Sequence, residues 1–204
     1  MRTILLLLFS VAALSPGANA ATISTIFAAN NGQAGNMFDV TNLSGADITI
    51  TGIFGVNLAS GATGENLAVY YRPGTYVGFE STAAGWTLLG TDTVDSLGIN
   101  VATPIDVGAI FGIGAGQTYG LFVTTTGSTS LRYTNGANTY SDGTLQITTG
   151  VGKALPLFNG STFSPRTWNG SIDYAAASTA PEPSTWMLML GGLAALAAMR
   201  RRRE

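Results

Sequence analysis

Residues 47–52 read Asp-Ile-Thr-Ile-Thr-Gly, and this alternation of polar and apolar side chains predicts a β-strand. Ile48 and Ile50 point to one face, which we expect to be buried, while Asp47 and the two threonines point to the other. Gly52 interrupts the alternation and predicts a β-bulge. The strand has one core-facing side, so other strands must cover it.

Turn signals and short strand-like segments extend in both directions from this strand. Asn-Gly and Asp-Gly dipeptides recur along the chain and favour turns, because Asn and Gly tolerate positive φ. About ten segments between the turns are rich in Val, Ile, Thr and aromatic residues. They are residues 22–28, 37–42, 47–58, 67–72, 86–94, 104–110, 117–125, 130–133, 144–148 and 168–174. Regularly spaced strands without a helical period predict an all-β domain over residues 21–177, either a sandwich or a barrel, and we favour a jelly-roll-like β-sandwich.

Two of these segments carry further predictions about the sandwich. In residues 117–123, Leu121 and Val123 share one face with Tyr119, whereas Phe122 points the opposite way. We therefore expect this strand to be covered on both sides. The last segment, residues 168–174, is predicted to close the fold near its beginning.

The composition excludes several classes of site. The chain has 204 residues, enough for one ordinary domain with short appendages, and only 10% of them are charged. It contains no Cys and no His. Disulfides, thiolate nucleophiles, cysteine-based metal sites and Ser–His–Asp triads are therefore excluded. No cofactor, metal ligand set or catalytic residue is predicted.

The central part of the chain is acidic. Between Ala21 and Ala180 there are four basic and nine acidic residues, a balance of −5. Such a surface repels phosphate backbones, so we do not expect nucleic-acid binding.

The first 20 residues have the three parts of a secretory signal peptide. Arg2 provides the positive start, residues 4–14 are apolar, and small residues follow. Ala18, Ala20 and Ala21 mark a cleavage site after Ala20, with signal peptidase as the expected partner. We expect an N-terminal signal helix and an exported protein. A retained membrane anchor is the alternative, although eleven apolar residues are short for a membrane span.

The last 27 residues, 178–204, also have three parts. A proline-rich motif precedes an apolar helix over residues 186–199, and an arginine cluster follows. The residues are Pro181, Glu182, Pro183, Ser184 and Thr185 in the motif, Gly191 and Gly192 in the helix, and Arg200, Arg201, Arg202 and Arg203 in the cluster. Clustered arginines favour the cytoplasmic side, so we expect a short transmembrane helix with the domain outside. A buried C-terminal helix is the alternative, which the clustered charges disfavour.

This tail resembles the PEP-CTERM sorting tail of Gram-negative bacteria. The resemblance covers about 24 residues, from Pro181 to Glu204, in the same three-part order. It implies recognition by an exosortase, transient anchoring in the inner membrane and removal of the tail. It also implies an exported protein of the outer envelope or extracellular space, in a bacterium that makes exopolysaccharide and biofilm or floc.

The middle of the chain is similar to a recurring secreted bacterial β-domain. The similarity rests on residues 35–40, 70–80, 85–90, 115–120 and 163–170, so it spans nearly all of the mature chain. It implies export and brings no assigned catalytic residues.

Paired carboxylates are the remaining route to acid–base chemistry. Glu80 and Asp39 lie near aromatic residues and are candidates for a glycoside hydrolase, which needs two such groups across a cleft. The alternative is that both are loop or capping residues. Lys153 is the sole lysine and lacks a Ser-x-x-Lys arrangement, which disfavours a Ser–Lys hydrolase.

Aromatic residues provide a route to sugar binding. Tyr76, Phe79 and Trp86 crowd one region and Trp168 lies in another, so these four are the candidate glycan contacts. Aromatic rings with polar neighbours stack on sugars. The alternative is that the rings fill the core. We expect Arg72 and Arg166, each beside a proline, to bond backbone carbonyls or carboxylates within the fold rather than a ligand.

Calcium and ice are two further alternatives. Oxygen ligands for calcium are available at Asp39, Asp92, Asp95, Asp106 and Asp142, although no Asp-x-Asp-x-Asp-Gly loop is present. Threonines at 49, 51 and 124–126 could present hydroxyls to ice, although Thr is ordinary on exposed strands.

These features together favour a non-catalytic protein of the envelope or extracellular matrix, associated with exopolysaccharide. A dedicated glycan-binding module and a carboxylate-based glycoside hydrolase are the two other hypotheses.

Overall fold

The computed structural model describes residues 19–176, and every regular element in this range is a β-strand. The strands are β1 (Asn19–Ser24), β2 (Asn31–Gln33), β3 (Gly35–Asn42), β4 (Ile48–Asn57), β5 (Glu65–Pro73), β6 (Thr87–Val94), β7 (Ala102–Asp106), β8 (Phe111–Ile113), β9 (Thr118–Thr125), β10 (Leu131–Asn135), β11 (Thr139–Ser141), β12 (Leu145–Lys153), β13 (Thr162–Trp168) and β14 (Gly170–Ala176). Residues 19–176 contain no helical segment that could span a bilayer. The predicted signal helix and tail helix lie outside the described residues.

The strands form two antiparallel sheets. The five-stranded sheet has the order β1-β14-β4-β7, with β8 also pairing with β4. The nine-stranded sheet has the order β2-β10-β13-β12-β3-β9-β5-β6, with β11 pairing with β12. Buried side chains from both sheets form one hydrophobic core between them. The predicted all-β sandwich is confirmed.

Strand β4, which contains residues 48–52 of the alternating segment, lies inside the smaller sheet. Ile48 and Ile50 are 2% and 0% exposed and lie in the core. Gly52 has a φ of +82°, and the pairing of β4 with β14 shifts register around it. A side chain there would collide with the carbonyl oxygen of Ala109. The predicted inward face and the bulge are both confirmed.

Strand β9 lies inside the larger sheet and is buried on both faces. Leu121 and Val123 belong to the core between the sheets. Phe122, on the opposite face, belongs to a second cluster of buried residues. This confirms the expectation of coverage on both sides and places a second apolar region on the outer face of the larger sheet.

Strands β1 and β14 pair along their whole length, from Asn19 opposite Ala176 to Ser24 opposite Ser171. The predicted closure of the fold near its beginning is confirmed. Cleavage after Ala20, which remains a prediction, would leave the pairs from Ala21 to Ser24 intact. Both ends of the described chain therefore leave from adjacent strands at one edge.

Candidate functional site

The loop between β5 and β6, residues 74–86, packs on the outer face of the larger sheet. Its first residue is bonded to β9, since Gly74 N donates to Thr118 O at 2.9 Å and Gly120 N donates to Gly74 O at 2.6 Å. A Cβ on Gly120 would lie 2.8 Å from Tyr76 N. The glycine therefore permits the close approach of this loop to β9.

An outer cluster of apolar side chains forms beneath this loop. Its buried members are Met37, Tyr76, Phe122, Val151 and Phe158, and Tyr70, Trp86 and Leu157 pack against them. The Phe158 ring centroid lies 5.3 Å from those of both Tyr70 and Phe122. Aromatic pairs at such separations stabilise beyond the area they bury. Tyr76 and Trp86, both predicted as glycan contacts, are part of this small second core.

Arg72 lies in the same region and is only 8% exposed. Its Cζ lies 3.4 Å from the centroid of the Phe79 ring and 5.9 Å from that of Trp86. Trp86 Nε1 donates to Phe79 O at 3.0 Å, which holds the two aromatic residues together. Arg72 Nε is buried and has no hydrogen-bond partner among the described residues. The guanidinium therefore lies within the fold but is held mainly by cation–π contact, which corrects the expectation that it bonds backbone carbonyls or carboxylates.

Asp39 anchors the beginning of the loop. Its carboxylate accepts hydrogen bonds from Thr75 Oγ1 at 2.6 Å and from Tyr76 N at 2.9 Å. Burial raises the pKa of Asp39, while these two bonds and the charge of Arg72 act in the opposite direction. Asp39 is thus a structural acceptor whose carboxyl holds its proton more tightly than usual.

Glu80, the other predicted acid, lies in the same loop. Its Oε2 accepts a hydrogen bond from Gly78 N at 2.8 Å. Burial, and then the negative charges of Asp39 and Glu80, raise the pKa of Tyr76. The structure therefore brings both predicted carboxylates near Tyr76, and each of them accepts a hydrogen bond from the backbone of the loop at residues 74–86.

Lys153 is completely buried at the end of β12. Its Nζ donates to Gly160 O and to Thr162 Oγ1, both at 2.7 Å. Burial lowers the pKa of Lys153, and the charge of Glu80 acts in the opposite direction. The partners of the ammonium group are neutral oxygens of the β12–β13 connection, so the lysine ties that connection together.

The candidate contact Trp168 requires a correction. It is 1% exposed and stacks on Phe38, which belongs to the core between the two sheets. Tyr76 is also buried, at 9% exposure, whereas Phe79 and Trp86 are half-buried. A ring enclosed between sheets cannot stack on a sugar, so Trp168 is a core residue.

The structure bears on the calcium alternative and on part of the ice alternative. Within residues 19–176 no three acidic side chains form a group able to hold a metal ion. Thr124 and Thr125 are buried, and the hydroxyl of each donates to Ala34 O. These two threonines therefore face the interior, which corrects the suggestion that they face ice.

An open cleft of about 480 Å³, which the sequence did not predict, lies elsewhere on the surface. Asn30, Asn31, Ser60, Ile99 and Arg132 are among its lining residues. They come from four separate parts of the chain, so no local spacing pattern indicates the cleft.

Comparison with known proteins identifies the C-terminal segment. Residues 179–203 match the PEP-CTERM protein-sorting motif, as the resemblance of the tail implied. The motif implies an exported protein that an exosortase processes and sorts to the cell envelope or surface. No curated protein matches the chain. The motif residues lie outside the part of the chain that the structure describes, and the predicted signal cleavage site at Ala20 lies at its edge.

Proposed function

We propose that this protein is a non-catalytic component of the envelope or extracellular matrix that associates with exopolysaccharide in biofilm or floc. The observation that carries the proposal is the PEP-CTERM motif at residues 179–203. A cargo with such a tail is delivered outside the cytoplasm, where secreted polysaccharide is the abundant polymer in bacteria that form floc.

The way ionisable groups are used in the domain supports a non-catalytic role. Asp39 and Glu80 both accept hydrogen bonds from the backbone of the loop at residues 74–86. Lys153 is 0% exposed and bonded to two neutral oxygens. Groups engaged in this way hold loops in place, and a catalytic group must instead reach a substrate.

We further propose the route by which the protein arrives. The signal peptide is removed after Ala20, and the tail then holds the domain on the periplasmic side with the arginine cluster in the cytoplasm. The exosortase next removes the tail, and the mature domain reaches the outer envelope or the extracellular space.

A glycan-binding module is the second candidate function. It is favoured by the half-buried Phe79 and Trp86, which lie together around the Arg72 guanidinium. The strand orders β1-β14-β4-β7 and β3-β9-β5-β6 support the jelly-roll-like arrangement, which also occurs in lectin domains. This is an analogy of fold, and function depends on the site rather than on the fold.

A glycoside hydrolase is the third candidate. It is favoured by the raised pKa of Asp39, since such enzymes need one carboxyl that keeps its proton. If the mature protein hydrolyses the producer's polysaccharide and both Asp39→Asn and Glu80→Gln abolish the reaction, the non-catalytic proposal is wrong.

The experiment that tests the main proposal is deletion of the gene in the producing bacterium. We expect loss of floc or biofilm, restored by the wild-type gene and not by a gene that lacks residues 178–204. We also expect the mature protein to sediment with the purified polysaccharide. Normal floc in the deletion strain, together with no co-sedimentation, would overturn the proposal.

A further inference from the structure

The cleft beside Arg132 lies where the start of β2 with the residues before it, the loop after β4 and the loop before β7 meet β10. Arg132 is opposite Gly32 in the pairing of β10 with β2. A Cβ on Gly32 would collide with Arg132 Nη1, so the guanidinium lies over the glycine backbone. The glycine thus leaves room for the side chain that provides the cleft with its positive charge.

Arg132 differs from the other two arginines of the domain. Arg72 is buried against the Phe79 ring, and Arg166 donates to Pro165 O at 2.8 Å. Within residues 19–176, no hydrogen bond or ion pair engages the guanidinium of Arg132. Its planar set of N–H donors therefore remains available in a cleft that is open to solvent.

Two further donors line the same cleft. Asn30 Oδ1 accepts a hydrogen bond from Asn135 N at 2.8 Å, which leaves the side-chain amide N–H groups of Asn30 as donors. Ser60 Oγ accepts from Ile99 N at 3.1 Å, which leaves its hydroxyl hydrogen as a donor. No Asp or Glu is among the lining residues. A cleft lined by donors selects a ligand with oxygen acceptors.

A hydrogen-bond network around the buried Asn57 holds the walls of the cleft in place. Asn57, which is 0% exposed, donates through Nδ2 to Asn100 Oδ1 at 3.2 Å and accepts from Asn100 N at 2.8 Å. Asn100 Oδ1 also accepts from Ala29 N at 2.8 Å. The loop carrying Ile99 and the segment carrying Asn30 are therefore fixed to each other. A site whose walls are already in place loses less conformational entropy on binding.

The charge of the domain limits the kind of anion that fits. Residues 21–180, which include Arg132, have a net charge of −5. A densely charged polyanion would be repelled by this surface, whereas one planar carboxylate pairs with one guanidinium through two parallel hydrogen bonds. Neutral sugar hydroxyls would then accept from Asn30 and Ser60.

We infer that the cleft beside Arg132 binds a carboxylate-bearing sugar, the uronate unit of an acidic exopolysaccharide. The inference rests on the proposed association with exopolysaccharide and deepens it, because it names the site and the class of sugar. It also places sugar recognition away from the aromatic residues Phe79 and Trp86.

The test is calorimetric titration of the mature secreted protein with an oligogalacturonate, a neutral cello-oligosaccharide and a polyglutamate peptide. We expect binding of the oligogalacturonate alone, weakened by about tenfold or more in Arg132→Gln. Arg166→Gln is the matched control, since it removes the same charge elsewhere, and we expect it to leave the affinity unchanged. Equal affinity of wild type and Arg132→Gln, or preference for the neutral sugar or the peptide, would overturn the inference.

A second measurement does not depend on whether the variant folds. Titration of isotope-labelled wild type with oligogalacturonate should shift the backbone amide resonances of Asn30, Ser60 and Arg132, and leave those of Phe79 and Trp86 in place. Shifts confined to the aromatic loop would contradict the inference. Co-sedimentation with the producer's polysaccharide separates the two proposals. If Arg132→Gln co-sediments as well as the wild type, only this inference is overturned. If the wild type does not co-sediment, this inference is overturned, and the proposed function is overturned as well when the deletion strain also forms normal floc.

Discussion

The rings of Phe38 and Trp168 stack with their centroids 4.5 Å apart and their planes 14° from parallel. They are 0% and 1% exposed, so the pair lies wholly inside the sandwich. Trp168→Ala should leave a cavity and lower the free energy of unfolding by about 3–5 kcal/mol. Urea unfolding followed by circular dichroism measures the change.

Trp86→Ala is the comparison for this variant, because Trp86 is half-buried in the outer cluster. We expect it to lose less stability than Trp168→Ala, since less apolar surface returns to water. A larger loss at Trp86 would contradict the assignment of Trp168 to the main core.

Gly150 lies in β12 against the backbone of β3. A Cβ at this position would collide with the carbonyl oxygen of Met37, which belongs to the backbone and cannot move aside cheaply. Gly150→Ala should therefore reduce the free energy of unfolding by about 3 kcal/mol or more. Gly45→Ala is the control, because a Cβ there meets nothing within 4 Å. Equal stability of the two variants would contradict the close approach of Gly150 to the Met37 carbonyl.

Lys153 should make stability increase with pH on the alkaline side of neutrality. Burial lowers the pKa of Lys153 in the folded protein. At pH values between this lowered pKa and the ordinary lysine pKa of about 10.4, the unfolded chain therefore binds more protons than the folded protein. The energetic cost of burying the charge is complete below the folded pKa and disappears as the pH rises through this interval. Urea unfolding between about pH 7 and pH 9.5 measures the slope, before unfolded tyrosines ionise near pH 10.

Lys153→Met provides the control for this slope, since it keeps the apolar stem and removes the titrating group. We expect its stability to depend less on pH than that of the wild type in the same interval. Parallel curves for the two proteins would contradict a lowered pKa at Lys153.

Asp39 should have the opposite effect in acid. Its raised pKa means that the folded state keeps a proton that the unfolded chain has released. The stability contributed by this proton is complete below the ordinary aspartate pKa of about 3.9 and is lost as the pH rises through the folded pKa. Asp39→Asn should remove this dependence, as measured by thermal unfolding from pH 3 to pH 7.

The same substitution should cost about 1–2 kcal/mol near neutral pH, because an amide oxygen replaces the carboxylate that accepts from Thr75 Oγ1 and Tyr76 N. Asp95→Asn is an exposed comparison, with a single bond from Gly64 N. We expect Asp95→Asn to keep the pH dependence of the wild type. If Asp39→Asn kept it as well, Asp39 would not be the source of this dependence.

Processing of the two ends is tested by intact-mass analysis of the native protein. We expect loss of Met1–Ala20 and a C-terminus near Pro183, since residues 179–203 match the sorting motif. Replacing Pro181, Glu182 and Pro183 by alanine should leave the arginine cluster attached. Ser178→Ala, just outside the matched segment, should be processed normally. An intact tail on the native wild-type protein would contradict removal by the exosortase.

Each of the ten predicted strand segments overlaps a strand of the structure, although several bounds differ. Residues 25–28 and 107–110 were predicted as strand and are not strand in the structure. Short apolar runs carry little information about where pairing stops, because that depends on the partner strand. Strands β2, β8 and β11 were missed, and each has only three residues, too few for an alternation to be visible.

Strand β13 was missed for a different reason. Pro165 lies inside it, and proline normally argues against a strand because it lacks a backbone N–H. The pairing of β12 with β13 shifts register between Gly150 and Gly152, opposite this part of the strand. The proline sits in this irregular stretch, where the ladder of hydrogen bonds is already interrupted. Gly150 and Gly152 also interrupt the strand-like pattern of β12, so its second half was not predicted.

The candidate site was predicted in part. Asp39, Tyr76, Phe79, Glu80 and Trp86 meet around one loop, as their clustering in the sequence suggested for most of them. The sequence could not distinguish Trp168 from Trp86, since each is an aromatic residue at the start of a predicted strand segment. The cleft at Arg132 had no local signal at all.

The amino-acid sequence alone determined the all-β class, most of the strands and the sorting motif, because each of these depends on residues that are neighbours along the chain. The tertiary structure decided which face of a sheet each aromatic residue occupies. It placed Trp86 on the outer face and Trp168 between the sheets. It also decided that Arg132 lies over Gly32 beside Asn30 and Ser60. These outcomes follow from pairing and packing between strands that are distant in sequence, so no short stretch of residues contains them.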